Sequence, residues 1–111
     1  MRQSHTAIIE RNIAWQGAFE TEPYEAAWAS EAIFFVRTLD VVGRLDDVTV
    51  RVQISPDGIR WCDEGTVVSL SDLVDGVTFG KVSHFGTFLR LVGELPEGVT
   101  VTVIVALSLK E

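Results

Sequence analysis

The chain has 111 residues, of which 47% are hydrophobic, and it carries a formal net charge of −7 with an isoelectric point near 4.7. Its length fits one folded domain, residues 1–111, and its hydrophobic content argues against intrinsic disorder. The acidic balance offers no basic face that could neutralise phosphates, which argues against a nucleic-acid partner. No apolar run reaches the roughly 18 residues of a membrane span, which argues against a membrane-spanning segment and a membrane partner.

The first third of the chain predicts one strand followed by an irregular excursion. Residues 6–16 place four apolar side chains on one side of a strand, namely Ala7, Ile9, Ile13 and Trp15. Residues 17–31, GAFETEPYEAAWASE, then break the alternation. We expect an excursion between the first two strands, either partly extended or opening into one helical turn at its proline.

The middle of the chain predicts two strands and a tight turn. Residues 32–39 form a short dense apolar run that favours a central strand. Residues 48–55 alternate apolar and polar side chains, which is typical of a strand with one wet face. Ser-Pro-Asp-Gly at 55–58 predicts a short hairpin turn with Gly58 in the left-handed conformation, followed by a returning strand at 59–63.

The last third predicts three further strands, at residues 77–82, 87–92 and 99–109. Residues 70–76 could form a single helical turn or a loop. Residues 93–98, GELPEG, predict a hairpin that joins the last two of these strands. With sixteen valines and nine threonines in the chain, the seven or eight strands predict an all-β fold, an antiparallel β-sandwich or jelly roll.

The final strand carries a second signal. Ile104 and Ala106 fill positions that should face outward, so its second half is expected to be covered on both sides, either in the middle of a sheet or at an interface. The mean hydropathy of +0.26 is high for a small monomer, which favours apolar surface covered by another subunit.

No pattern in the sequence indicates catalysis, a bound metal or a cofactor. His5 and His84 lie far apart and neither has a partner at metal-ligand spacing. Around Asp57 the alternating carboxylates of a calcium loop are missing. Asp63 and Glu64 are adjacent in an extended segment, so they face opposite sides and do not form an acid–base pair. We therefore expect a protein that is not an enzyme.

Aromatic residues supply the candidate interaction residues. Phe19, Tyr24 and Trp28 lie among glutamates in the excursion, and tyrosine and tryptophan are enriched at protein interfaces, so these three are the predicted interaction surface. Trp15 is assigned to the core. The alternative is a glycan platform formed by Trp28 and Trp61, because a flat ring can stack on the apolar face of a sugar.

Three stretches taken in order, FFVRTLDVVG (34–43), VTVRVQISPDGIRWCDEG (48–65) and FGTFLRLVGELPEGVTVTVIVALSLKE (85–111), resemble small β-sandwich structural proteins of tailed phages and prophages. The segment GRLDD, at 43–47, departs from the Gly/Ser/Pro turn common in that group. The resemblance implies a decoration, head-surface or tail-associated subunit, with no catalytic residue to carry over. It leaves the first thirty residues unmatched.

These observations predict a non-enzymatic virion or particle structural subunit that self-associates, as a closed trimer by analogy with decoration proteins, and docks on a larger assembly such as a phage capsid. The start, MRQSHTAIIERN, has no signal-peptide core, and a lone Cys62 suits a reducing compartment, so we expect synthesis in the host cytoplasm and residence in the virion. The alternatives are a carbohydrate-binding module for surface attachment and an accessory domain of a cytoplasmic protein.

Overall fold

The computed structural model describes residues 3–111, whose regular secondary structure consists of antiparallel β-strands. The strands are β1 (Ser4–Trp15), β2 (Ala18–Glu20), β3 (Tyr24–Glu25), β4 (Glu31–Val42), β5 (Thr49–Ser55), β6 (Cys62–Ser69), β7 (Val77–Ser83), β8 (Phe88–Glu94) and β9 (Thr100–Lys110). They build two sheets. Sheet A has the order β1-β9-β4-β7, and sheet B has the order β2-β8-β5-β6, with β3 also paired to β8.

The strand order is that of a jelly roll. Counting the short β2 and β3 together as one strand, the first strand pairs with the last, the second with the seventh, the third with the sixth and the fourth with the fifth. Such a pattern arises when one long antiparallel ribbon is rolled into two facing sheets. The prediction of an all-β sandwich is therefore confirmed, and the strand order assigns it to the jelly-roll type.

The core lies between the two sheets and follows from alternation along the strands. In β9 every second side chain is fully buried, from Val101 to Leu109, while the residues between them are half-buried. Val50 and Val52 of β5 are equally buried, as the alternation in residues 48–55 predicts. β-Branched side chains fit this pleated interior well.

The predicted hairpin at residues 93–98 is wrong. β8 belongs to sheet B and β9 to sheet A, so this segment crosses from one sheet to the other. Leu95 turns into the end of the core, where it is 3% exposed, and its backbone N–H donates to the carbonyl of Gly17 at 2.8 Å. A turn-rich sequence indicates a change of direction but does not reveal whether the strands it joins will pair.

The strand predicted at residues 59–63 is also wrong in its bounds. Ile59 is 77% exposed and lies in the loop, and β6 begins only at Cys62 and continues to Ser69.

The excursion at residues 17–31 is extended rather than helical, because β2 and β3 both pair with β8. Residues 70–76 form a loop of bends and turns and no helix.

Candidate interaction surfaces

The loop between β5 and β6 is held by its own polar side chains. The Ser55 hydroxyl accepts the backbone N–H of Gly58 at 2.8 Å, and Asp57 Oδ1 accepts those of Ile59 and Arg60 at 2.9 Å each. Those N–H groups of Arg60 and Ile59, with smaller contributions from the Ser55 hydroxyl and the Arg60 guanidinium, lower the pKa of Asp57 from 3.8 to about 2. Gly58 has a φ of +77°, the left-handed conformation predicted for it. The Asp57 carboxylate therefore stabilises its own loop.

The aromatic excursion is built into the sandwich rather than extending away from it. Phe19 stacks on the buried Trp15 with ring centroids 4.1 Å apart and planes 12° from parallel. Tyr24 is half-buried and packs against the core. Trp28 lies in the turn after β3 and is 40% exposed. Of the three residues predicted to form the interaction surface, Trp28 is therefore the most exposed. That these residues contact a partner stays a prediction.

The outer side of sheet B carries a connected polar network around Arg90. The Arg90 guanidinium donates to Glu20 Oε2 at 2.6 Å and twice to Gln53 Oε1, at 2.9 and 2.7 Å. It also lies over the Trp61 ring, 4.1 Å from the centroid. Arg90 therefore covers one face of Trp61, the residue proposed for the glycan platform, and the second platform residue, Trp28, lies in a different loop.

Asp63 extends this network to the edge of the sheet. Gln53 Nε2 donates to Asp63 Oδ1 at 3.0 Å and Arg51 Nε donates to the same oxygen at 3.3 Å. The hydrogen bond from Gln53, followed by the charge and hydrogen bond of Arg51, lowers the pKa of Asp63. Beside these residues lies a shallow depression of about 540 Å³, lined by Phe19, Glu20, Arg51, Gln53, Arg90 and Val92 among others.

The outer side of sheet A, which we name the A face, is different in character because an apolar row crosses all four of its strands. Ile8 of β1 pairs with Ala106 of β9, Ala106 with Phe35 of β4, and Phe35 with Phe79 of β7. The rings of Phe35 and Phe79 are 6.2 Å apart. Ile8 is 45% exposed and Phe79 57% exposed. Large apolar side chains are thus left open to water on the face opposite the core.

The neighbouring row of the A face extends this apolar surface. Ile104 of β9 and Val77 of β7 lie on either side of Arg37 of β4, and Val77 is 56% exposed. Of the two alternatives expected for the second half of β9, the middle of a sheet is what the structure has, since β9 lies between β1 and β4. Its outward residues are only half-buried and belong to this face, so its coverage by an interface stays a prediction. The exposed Phe79, Val77 and Ile8 were not among the residues selected from sequence.

Clusters suited to metal chemistry are absent from residues 3–111: no group of three or more His, Cys, Asp or Glu side chains there could hold an ion. Cys62 is exposed and does not form a disulfide. The same part of the chain contains no helix with the length and apolarity to cross a membrane.

Comparisons with known proteins found similarity in fold but no match in sequence. No family model matches the chain, and no curated protein matches it in sequence. Among solved structures, the chain is similar to the crystal structure of SPBc2 prophage-derived protein YomS, with a TM-score of 0.60 and 10% sequence identity over 100% of this chain and 96% of that chain. At that identity the likeness shows a shared fold. A structural neighbour of this all-β chain is thus a prophage-derived protein.

Proposed function

We propose that the protein is a non-enzymatic structural subunit of a phage-type particle, which self-associates and docks on a larger protein assembly such as a capsid. The observation that carries the proposal is the apolar row Ile8–Ala106–Phe35–Phe79, on a face that no other part of residues 3–111 covers. Soluble monomers seldom leave large apolar patches exposed unless the patch binds something. The jelly roll is also a common architecture of viral capsid domains.

The contacts of two acidic side chains, Asp57 and Asp63, support a structural role for these two residues rather than a general-acid role. Asp57 accepts N–H groups of its own loop, and Asp63 is shared between Gln53 and Arg51. In both residues these contacts lower the pKa of the carboxyl group, whereas a general acid needs a raised one. Both side chains act as acceptors that fix the backbone and the neighbouring strands.

The proposal is tested by mass spectrometry of phage-type particles purified from cells that produce the chain. The expected result is recovery of the chain with the particles at a stoichiometry comparable to that of a structural protein, and retention through a density gradient. Recovery only in the soluble host fraction would favour the accessory domain of a cytoplasmic protein and contradict particle docking.

A second candidate, carbohydrate binding, is favoured by the depression on sheet B. Glu20, Gln53 and Arg90 place hydrogen-bonding groups beside it, and Trp61 lies against Arg90. Tryptophan fluorescence during titration with a panel of glycans tests this reading. A spectral shift lost in Trp61→Ala and kept in Trp28→Ala would establish a site on sheet B. No shift with any glycan would remove the candidate.

A further inference from the structure

We infer that the A face is covered by a second copy of this chain, packed face to face about a twofold axis. The inference rests on the proposed self-association and names its surface, its partner and its stoichiometry. Three features of the face support it: its apolar centre, its charge balance and its area.

The apolar centre lies where a symmetric contact needs it. The row Ile8–Ala106–Phe35–Phe79 crosses the sheet from edge to edge, and the adjoining row places Ile104 beside it on the central strand β9. Interfaces are most apolar at their centre and more polar at their rim. A twofold axis near Ala106 would bring the two phenylalanines of one copy against the apolar row of the other.

The charge balance of this face is compatible with a second copy. The chain has 16 acidic and 9 basic side chains, so two copies carry the same net charge and repel each other overall. The outward strand positions of sheet A carry Arg37, Lys81 and Lys110 against Glu31 and Asp40, and they include both lysines of the chain. Asp75 of the β6–β7 loop adds a third acidic side chain, because it is paired with Arg37 at 3.3 Å. On this face the net negative charge of the molecule is absent, so two copies can approach without like-charge repulsion.

The area is close to what a stable dimer requires. Strands β1 and β4 have 12 residues, β9 has 11 and β7 has 7. At about 3.4 Å per residue and about 4.8 Å between strands, the four strands present a face of roughly 600–700 Å² before side-chain corrugation is counted. Stable interfaces bury about 600–1,000 Å² on each partner. The face is therefore large enough to hold a pair without help from another surface.

The twofold arrangement fixes the stoichiometry. A face that packs on its own copy is used up by that contact, so the assembly closes with two copies. This proposal therefore makes a dimer the expected species, in place of the closed trimer expected by analogy with decoration proteins.

Sedimentation equilibrium of the full chain, from micromolar to millimolar concentration, tests the inference with two matched variants. Phe79 and Val67 are both 57% exposed and both lie on edge strands, Phe79 on the A face and Val67 on sheet B. Phe79→Glu and Val67→Glu thus introduce the same charge at the same exposure in the two sheets. Far-UV circular dichroism and thermal melting of each variant establish that it is folded.

The expected result is a dimer for the wild type and for Val67→Glu, with a dissociation constant at least about 100-fold higher for Phe79→Glu, because a charge replaces an apolar contact of the interface in both copies. If the wild type dimerises and folded Phe79→Glu dimerises equally well, the A face is not the interface, while self-association stands. A wild-type trimer, or equal weakening by Val67→Glu, also overturns the inference. A wild type that is monomeric throughout overturns both the inference and the proposed self-association, and leaves particle docking to be decided by mass spectrometry.

Discussion

Arg90 shows how much of sheet B depends on one side chain. Its guanidinium joins β8 to Glu20 of β2 and Gln53 of β5 and lies over Trp61 of the β5–β6 loop, while its own side chain is only 16% exposed. A planar guanidinium can make these contacts at once, which an ammonium group cannot do.

Replacement of Arg90 by lysine should therefore destabilise the protein. We expect Arg90→Lys to lower the free energy of unfolding by about 1–2 kcal/mol, because it loses the paired hydrogen bonds to Gln53 and the stacking on Trp61. Urea unfolding followed by circular dichroism measures the change. The matched control is Arg44→Lys, at a side chain that is 86% exposed, which should unfold like the wild type. Equal midpoints for both variants would contradict the role given to Arg90.

The lowered pKa of Asp57 predicts that the stability of the folded protein changes with pH. Its pKa in the folded protein is about 2, against an ordinary value of 3.8, so the ionised side chain contributes stability above pH 3.8 that is lost as the pH falls through about 2. Asp57→Ala should therefore melt at a lower temperature than the wild type at neutral pH, and the two melting temperatures should converge below pH 3.8. Asp72→Ala, at an exposed carboxylate of the β6–β7 loop, is the control. A gap that is constant with pH would contradict the account.

At the scale of the elements, the jelly roll explains which sequence predictions succeeded. Strand identity is a local property, and the alternation of residues 48–55 predicted the buried valines of β5. Pairing is not local. Among the described strands, β5 and β6 are the only consecutive pair joined by a backbone ladder of hydrogen bonds, so the Ser-Pro-Asp-Gly segment lies in a true hairpin connection and GELPEG does not.

The same distinction applies to the candidate surfaces. Ile104 and Ala106 were recognised as outward apolar residues because alternation within one strand reveals them. The row that joins Ala106 to Ile8 and Phe79 depends on the register of β9 with β1 and of β4 with β7. Likewise, the contact of Trp61 with Arg90 exists because β8 lies beside β5, which no local pattern indicates.

Gly80 marks the place where the two sheets approach each other at one edge. A Cβ at this position of β7 would lie 2.6 Å from Val68 Cγ2 and 3.1 Å from Thr66 Cγ2 of β6. The Thr66 hydroxyl also donates to the carbonyl of Lys81 across this edge at 3.2 Å. The absence of a side chain at residue 80 thus allows β6 and β7 to close one side of the sandwich.

Addition of a methyl group at Gly80 should force these strands apart. We expect Gly80→Ala to lower the free energy of unfolding by about 1–3 kcal/mol, the usual effect of overpacking. Chemical unfolding measures it. In Gly86→Ala, the control, the nearest atom would be the Ser55 carbonyl oxygen at 3.9 Å, so the methyl group should be tolerated. Equal stability of the two variants would show that β6 can shift without cost.

At the scale of the whole molecule, the two outer faces of the sandwich differ in surface character. The outer side of sheet B is held by internal ion pairs and hydrogen bonds around Arg90. The A face leaves apolar side chains exposed on a molecule of net charge −7. In our account, sheet B faces the surroundings and the A face is covered in the assembled protein.

Hydroxyl-radical footprinting read by mass spectrometry tests this central claim most directly, because it reports the exposure of individual side chains. The account predicts that oxidation of Phe79 and Ile8 slows as the protein is concentrated and stays slow in purified particles, while Ile59, 77% exposed in the β5–β6 loop, is oxidised at a constant rate. The account would be contradicted if Phe79 and Ile8 were oxidised at the same rate at every concentration and in particles.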